Sequence, residues 1–496
     1  MQLILLSAVA VFMVATQALS GPLDRDAERL IERTNLGGGT AGVYIADLDT
    51  GEELANYRGS EGMIPASNMK ILTTGAALLV LGEEFTFKTK LILDETYDPP
   101  LLVIRGDGDP ALGDPAIFIG ERPGVTLGTL FDQIAQALKG ADVNAISGIL
   151  VDDRVFDRNF THESWPEDQL NRWYCAQVGG LNFHTNVLNI YTQPSRSGVP
   201  VVRFEPDAWW AQVQIKAKSN EASRDTAWVS RPTRENTFTV HGNVSTKSEI
   251  PVAIDTPPLF AGRLLADQLS SRDISVGTEG TSAIDTVRLF TPGDEITESR
   301  TIAIITTPIA DVVGRTNTDS HNLYAEALIK RIGYEITSDP GSWENGAAVL
   351  RMLLSEHLGP AAAETTVISD GSGMSRDNRV NAETLAMWIR AIYKSDHWGT
   401  FEESLATPGN GTLRRRFNNG ELRSDLHAKS GYLTGTYSLS GIMEHPKTRQ
   451  RVVFSILLND VRSGATARNA KPLIDKLVEE IDEYLKDRAG ETAMGG

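Results

Sequence analysis

Strand patterns that pair as hairpins stand near both ends of this chain, and few folds can use both. Ala41-Gly42-Val43-Tyr44-Ile45-Ala46 reads as a strand, Asp49-Thr50-Gly51 as a turn, and Glu53 to Tyr57 as the returning strand. Far downstream, Ser438 to Met443 and Arg451 to Leu458 form a second hairpin around Pro446-Lys447. An isolated two-stranded hairpin is marginal in water. One antiparallel sheet assembled from the two ends, with the middle of the chain inserted, satisfies both. Helices accompany them. Pro65-Ala66-Ser67 leads into an apolar helix through Ile71 and Ala76 to Leu79, ending near Gly82. Thr307 to Asn317, Asn322 to Ile332, Trp343 to Leu358 and Ala382 to Tyr393 carry apolar residues at three- and four-residue spacing. The fold class is therefore α+β, an antiparallel sheet flanked by helices.

The stretch between has a different texture. From residue 88 to 285, short β-rich runs such as Leu101 to Ile104, Ile149 to Val151 and Phe238 to His241 alternate with turns, with helical pieces at Leu127 to Leu138 and Phe260 to Leu269. At 496 residues the chain exceeds one hydrophobic core. We expect a principal domain from residues 21–87 and 286–496, with 88–285 inserted as β-rich modules, two nested domains. Residues 1–20 carry no charge, and Leu3 to Ala18 is nearly continuous apolar sequence ending on the small residues Ala18 and Ser20. That is the pattern of a secretory signal peptide, and it implies export. No other run approaches the ~18 apolar residues of a membrane span, so no stable span is expected once the signal is removed. The last helix, Ala470 to Lys486, aligns Leu473, Ile474, Leu477, Ile481 and Leu485 on one side; its acidic opposite side suits packing on the sheet better than anionic lipid.

Charge narrows the function classes. Against 47 basic residues stand 65 acidic ones, a formal charge of −18, which disfavours a nucleic-acid partner. Cys175 is the only cysteine, so no intramolecular disulfide can form, and its Trp173-Tyr174-Cys175-Ala176 setting reads as a packed segment. The 8 histidines are scattered without a metal-binding pattern, and Gly37-Gly38-Gly39 lacks a phosphate-loop lysine. No metal or cofactor is expected.

Three short motifs carry chemistry. Ser67-Asn68-Met69-Lys70 is an S-x-x-K at a helix entrance, where backbone N–H groups are unpaired and the dipole is positive. Residues i and i+3 share a helix face, so Lys70 can lie beside Ser67 and take its proton. Ser320-His321-Asn322 is an S-x-N at the start of a helix, and Lys429-Ser430-Gly431 is a K-S-G beside a strand-like run. Each is common by chance. In this order they are the set of penicillin-binding proteins and serine β-lactamases, whose transpeptidase-type fold agrees with the α+β reading.

Spacing and surroundings refine the likeness. Lys70 and Ser320 lie 250 positions apart, far more than a compact β-lactamase provides. The insert, together with Arg105-Gly106-Asp107-Gly108-Asp109-Pro110, Asp370-Gly371-Ser372-Gly373-Met374-Ser375-Arg376 and Lys429 through Leu433-Thr434-Gly435, resembles the D-alanyl-D-alanine carboxypeptidase/endopeptidase family, the class C low-molecular-mass penicillin-binding proteins. Ser430 stands where threonine is usual, and Tyr432 where a small hydroxyl residue is common. Glu167-Asp168-Gln169-Leu170-Asn171 matches a class A β-lactamase pattern, but it precedes Ser320 and reads as structural.

The resemblance implies a serine D-Ala-D-Ala carboxypeptidase, possibly a D,D-endopeptidase as well, acting on peptidoglycan stem peptides in the periplasm or cell envelope and acylated by β-lactam antibiotics. Ser67 would be the nucleophile and Lys70 its base, Ser320 a proton relay to the leaving amine, and Asn322 would orient the substrate amide. Lys429 and Ser430 would receive the substrate carboxylate, with the N–H groups of Ser67 and Tyr432 holding the oxyanion beside Gly431. Arg376 and, from the insert, Asp152 are implied contacts to the stem peptide. A β-lactamase or esterase with the same machinery, and a non-enzymatic wall-binding protein, remain as alternatives.

Overall fold

The computed structural model describes residues 21–494 except 121–123, 297–298, 419 and 465. The expected signal peptide, residues 1–20, lies outside the described residues. The two ends of the chain do share a sheet. Its strands β1 (Thr40–Asp47), β2 (Glu53–Tyr57), β3 (Asp425–Leu433), β4 (Thr436–Glu444) and β5 (Arg451–Asn459) run in the order β3-β4-β5-β1-β2. Every pairing is antiparallel. The seam joining the ends is β1 against β5, with Val43 opposite Ile456 and Ile45 opposite Phe454. Lys429-Ser430-Gly431 lies within β3, an edge strand of this sheet.

Two-residue alternation divides the sheet between two cores. Val43 and Ile45 of β1 join Phe454 and Ile456 in a cluster with Leu473, Ile474, Leu477 and Ile481. Helix α1 (Asp24–Arg33) and the C-terminal helix Ala467–Met494 form that layer, so the final helix packs on the sheet. Tyr44 and Ala46 point the other way, with Val453 and Leu457, into a second cluster. There they meet helices α2 (Met69–Leu81), α3 (Asn322–Thr337) and α4 (Ala382–Tyr393). Because both faces are covered, β4 is buried along its whole length. Helix α2 is buried from Met69 to Leu78, the signature of a central helix, and Gly82 ends it at a φ of 80° that suits glycine.

A second five-stranded sheet runs in the order Val287–Leu289, Ile149–Asp152, Leu101–Arg105, Thr86–Asp94, Ser299–Pro308, so it takes in strands on both sides of the expected insert 88–285. The chain thus enters and leaves through adjacent antiparallel strands. The sequence reading started a helix at Thr307; instead the β-branched run Thr301-Ile302-Ala303-Ile304-Ile305-Thr306-Thr307 pairs with Thr86–Asp94, and the helix is Ile309–Thr318. Helices Leu127–Gly140 and Pro257–Ser270 cover this sheet, sharing a core with Leu91, Leu93 and Ile104. Smaller sheets around Leu188, Ile190, Phe238 and Val240 enclose a further core. The glycine- and aspartate-rich loop after Leu101–Arg105 ties the insert to α3. Tyr324 donates its hydroxyl to Asp114 at 2.6 Å, and Arg315 Nε reaches the same oxygen at 3.0 Å.

Candidate active site

Ser67 sits in the single 3₁₀ turn Ala66–Asn68 that opens α2. The turn is held in an unusual conformation. Ala66 has a φ of 47°, rare for a residue with a side chain. Neighbours on two sides impose it. A Cβ on Gly373 would fall 1.8 Å from the Ala66 carbonyl oxygen, so the Asp370-Gly371-Ser372-Gly373 loop is pressed against the turn. On the other side Asn68 Nδ2 donates to the Lys429 carbonyl of β3 at 3.1 Å, and Asn68 Oδ1 accepts from the Ser438 hydroxyl of β4. The two middle residues of S-x-x-K therefore anchor the nucleophile, Asn68 to the sheet and Met69 to the core.

Lys70 is completely buried. Its Nζ lies 3.2 Å from Ser67 Oγ, 2.7 Å from Asn322 Oδ1 and 2.8 Å from the Ser372 carbonyl oxygen. Burial pulls the amine down to about 7, against the opposing attraction of Glu326 and Asp370. A lysine so placed is neutral often enough near neutral pH to accept a proton.

The S-x-N element arrives on α3. Ser320 takes a φ of 62° just ahead of it, and His321 stands at the N-cap position without a side-chain capping bond. The Asn322 side chain is engaged at both ends: Oδ1 accepts from Lys70, and Nδ2 donates to the Tyr174 carbonyl of the insert at 2.8 Å. Lys429 is fully buried, with Nζ donating to the Ser430 carbonyl at 2.8 Å; burial, then the nearby Lys70, hold its affinity for a proton well below the ordinary lysine value. Around these groups lies a cavity of about 420 Å³. Ser67, Ser320, Asn322, Ser430, Gly431 and Tyr432 line it, and Tyr432 is 59% exposed at its mouth.

The three motifs are thus brought together, and other expected residues are placed differently. Arg376 stands at the rim, exposed, donating to the Thr434 carbonyl at 2.6 Å, and Thr434 lines the cavity. Asp152 is not among the lining residues. It is buried in the insert's sheet with its carboxylate held by Arg105 at 2.8 Å and Arg154 at 2.7 Å. Glu167 does not line the cavity either, but Gln169, Trp173 and Tyr174 beside it do. The sequence reads the Trp173-Tyr174-Cys175-Ala176 stretch as packed; in the structure Trp173 is exposed at the cavity and Cys175 is buried. Cys175 is buried behind this wall, and burial pushes its thiol up to about 12, which leaves it unreactive. Asp370, the first residue of the Asp-Gly-Ser-Gly segment, and Glu326, which no motif contains, are two fully buried carboxylates behind the Ser372 carbonyl.

A nucleophilic serine at a helix entrance, a buried lysine beside it and a sheet edge facing both define an acyl-serine enzyme of the penicillin-binding type. The model of the D-Ala-D-Ala carboxypeptidase 3 (S13) family matches residues 23–481, and this chain belongs to that family. It is 29% identical to a D-alanyl-D-alanine carboxypeptidase of Actinomadura sp. (strain R39), over 99% of this chain and 90% of that one. It is 23% identical to the D-alanyl-D-alanine carboxypeptidase DacB of Haemophilus influenzae, over 90% of this chain and 92% of the relative. The crystal structure of penicillin binding protein 4 (dacB) from Haemophilus influenzae superposes with a TM-score of 0.75 at 22% identity, covering 92% of this chain and 99% of the other. The α+β fold with extra β-rich sheets is therefore the fold of that protein. Among the described residues no helix is long and apolar enough to cross a membrane.

Proposed function

We propose that this chain is an exported serine D-Ala-D-Ala carboxypeptidase, also able to act as a D,D-endopeptidase, that works on peptidoglycan stem peptides through an acyl-enzyme on Ser67. The observation that carries the reading is the buried Lys70 amine 3.2 Å from Ser67 Oγ. Lys70 takes the hydroxyl proton as Ser67 Oγ attacks the carbonyl carbon of the penultimate D-alanine. Charge gathers on the carbonyl oxygen, which the N–H groups of Ser67 and Tyr432 receive; one such donor contributes about 2.7–4 kcal/mol to the transition state. As the peptide bond breaks, the leaving amine takes a proton through Ser320. Water then attacks the ester and releases the shortened peptide. Asn322 holds Lys70 in place, a role its two engaged ends favour over direct contact with substrate. Ser430 receives the terminal carboxylate, whose charge in turn favours the protonated form of Lys429. The apolar, uncharged residues 1–20 support export to the periplasm or cell envelope.

The relative from Haemophilus influenzae has been crystallised in complex with a β-lactam, and a β-lactam is the natural probe. Incubation with a labelled penicillin, peptide mapping of the adduct, and assay of monomeric and cross-linked muropeptides test the reading together. The expected result is a long-lived adduct on Ser67, lost in Ser67→Ala, with release of D-alanine from monomers and cleavage of cross-links. Rapid turnover of the penicillin would show a β-lactamase instead. Absence of any adduct and of any muropeptide cleavage would leave a wall-binding protein.

A further inference from the structure

The Ser372 carbonyl that holds Lys70 is itself aimed from behind. Glu326 projects from α3 one turn beyond Asn322 and is fully buried. Its Oε1 accepts the Ser372 N–H at 2.8 Å; its Oε2 accepts the Gly371 N–H at 2.9 Å and the Trp343 indole N–H at 2.7 Å. Asp370 continues the pattern, taking the Gly373 N–H at 2.8 Å and the Ser375 N–H at 2.6 Å, with the Trp165 indole at 3.0 Å. Three successive amides, 371 to 373, are thus claimed by carboxylates. With those N–H groups drawn back, the Ser372 carbonyl accepts from Lys70 Nζ at 2.8 Å.

A buried carboxylate is costly without a cation to balance it. Lys330, one turn further along the same helix, senses Glu326 but is already paired with Asp157 at 2.6 Å. Lys70 also feels the charge of Glu326, and among the described residues no carboxylate forms an ion pair with Lys70. Burial, then the charge of Asp370, pushes Glu326 itself up to about 7, and where it is ionised its charge falls on the catalytic amine.

We propose that Glu326 is a positioning residue for the proton acceptor: it orients the 371–373 peptides so that the Ser372 carbonyl holds Lys70 beside Ser67, and its charge sets how readily Lys70 gives up its proton. This rests on the reading of Lys70 as the base. The other ionisable groups around the pair are Asp370 on the loop, Lys429 on β3, His321 at the start of α3, Lys330 on α3 and Cys175 from the insert. Asp370 supports the Lys70 ammonium alongside Glu326, whereas Lys70 and Lys429 repel each other.

The test is the pH dependence of penicillin acylation, measured on the whole protein. Removing the negative charge makes the ammonium easier to deprotonate, so Glu326→Gln moves the acid limb of the acylation rate to lower pH. An opposite charge at close range shifts such a group by on the order of one pH unit. The plateau falls as well, because glutamine cannot accept all three N–H groups. A lowered plateau with an unmoved acid limb would reduce Glu326 to a structural prop and overturn the proposal. Trp343→Phe decides the matter should Glu326→Gln fail to fold. It keeps a ring in place but removes one donor from the carboxylate, so Glu326 protonates more readily and the limb shifts the same way by a smaller amount; an unmoved limb overturns the proposal here too. The wild-type adduct on Ser67 is read in the same assay, so failure of the acyl-enzyme reading is seen separately.

Discussion

A methyl group on Gly431 would lie 2.8 Å from the backbone nitrogen of Ser67. The same methyl would come within 2.2 Å of Ser438 Oγ and 3.0 Å of Asn68 Oδ1, the groups that tie the nucleophile's turn to the sheet. The glycine of K-S-G is thus required by how closely β3 approaches Ser67. Gly431→Ala is expected to push the edge strand away from the turn and widen the place where the oxyanion forms. Losing one oxyanion donor costs about 100- to 1,000-fold in rate, and acylation should fall by that order. Overpacking costs about 1–3 kcal/mol of stability. Stopped-flow acylation with a fluorescent penicillin, alongside a melting curve, separates the two effects; wild-type acylation in a folded variant would contradict the geometry.

With Lys70 as the proposed base, acylation should have an acid limb. The pKa of Lys70 is depressed by burial to about 7, and only the neutral amine accepts the Ser67 proton. The acylation rate should therefore rise with pH through an inflection near 7. An inflection near the ordinary lysine value would mean that burial does not depress Lys70 in the working enzyme. The same depression acts on folding. Below the unfolded value of 10.5 the unfolded chain holds a proton that the native lysine increasingly lacks, so this group favours the native state more as pH rises from 7 towards 10.5.

Much of this was legible in the sequence, for identifiable reasons. The paired hairpins fixed the terminal sheet because hairpins and two-residue alternation are local signals. Ser67, Lys70, Ser320, Asn322, Lys429 and Ser430 stood out because short motifs in a required order are improbable by chance. Glu326 did not, because in Tyr324-Ala325-Glu326-Ala327 a buried acid looks like one exposed on a helix surface. What could have exposed it is its place four residues after Asn322, on the same helix face. Asp152 rests on resemblance alone, and its pairing with Arg105 and Arg154 is visible only in the fold because the sheet brings Arg105 beside it from 47 positions away. The strand Ser299–Pro308 was missed because its partner, Thr86–Asp94, lies over two hundred positions earlier.

Cys175 should be silent. It is buried, with its thiol pushed up to about 12. Alkylation by iodoacetamide should be negligible in the native protein at pH 8 and complete in denaturant, as read by mass spectrometry. Cys175→Ser should retain acylation at Ser67. Rapid native labelling would show that the Trp173-Tyr174-Cys175 wall opens.

Asp114 is the point where the insert grips the helix that carries Asn322. Its buried carboxylate receives both the Tyr324 hydroxyl and Arg315. Asp114→Ala leaves those donors facing a void, and removing one partner of a buried pair costs about 3–5 kcal/mol. A fall in melting temperature is expected, together with slower acylation, because the S-x-N end of α3 loses a support. Unchanged stability would mean that the two parts are held together elsewhere.

His321 should make the protein acid-sensitive. It is buried between Ser320 and Asn322, its ring 5.5 Å from Trp173 and 4.9 Å from Tyr324, with Nδ1 lacking a hydrogen-bond partner among the described residues. Burial, with the nearby charges of Arg315 and Lys70, lowers its pKa from 6.5 to about 3. Between those values the unfolded chain binds a proton that the native state refuses, so stability falls as pH drops below 6.5 and continues to fall towards 3. The slope from one such group is about 1.4 kcal/mol per pH unit. His321→Phe keeps an aromatic ring between Trp173 and Tyr324 but cannot take the proton. Its unfolding midpoint in urea should depend less steeply on pH between 6 and 4 than that of the wild type. Equal slopes would mean that His321 is protonated in the native protein.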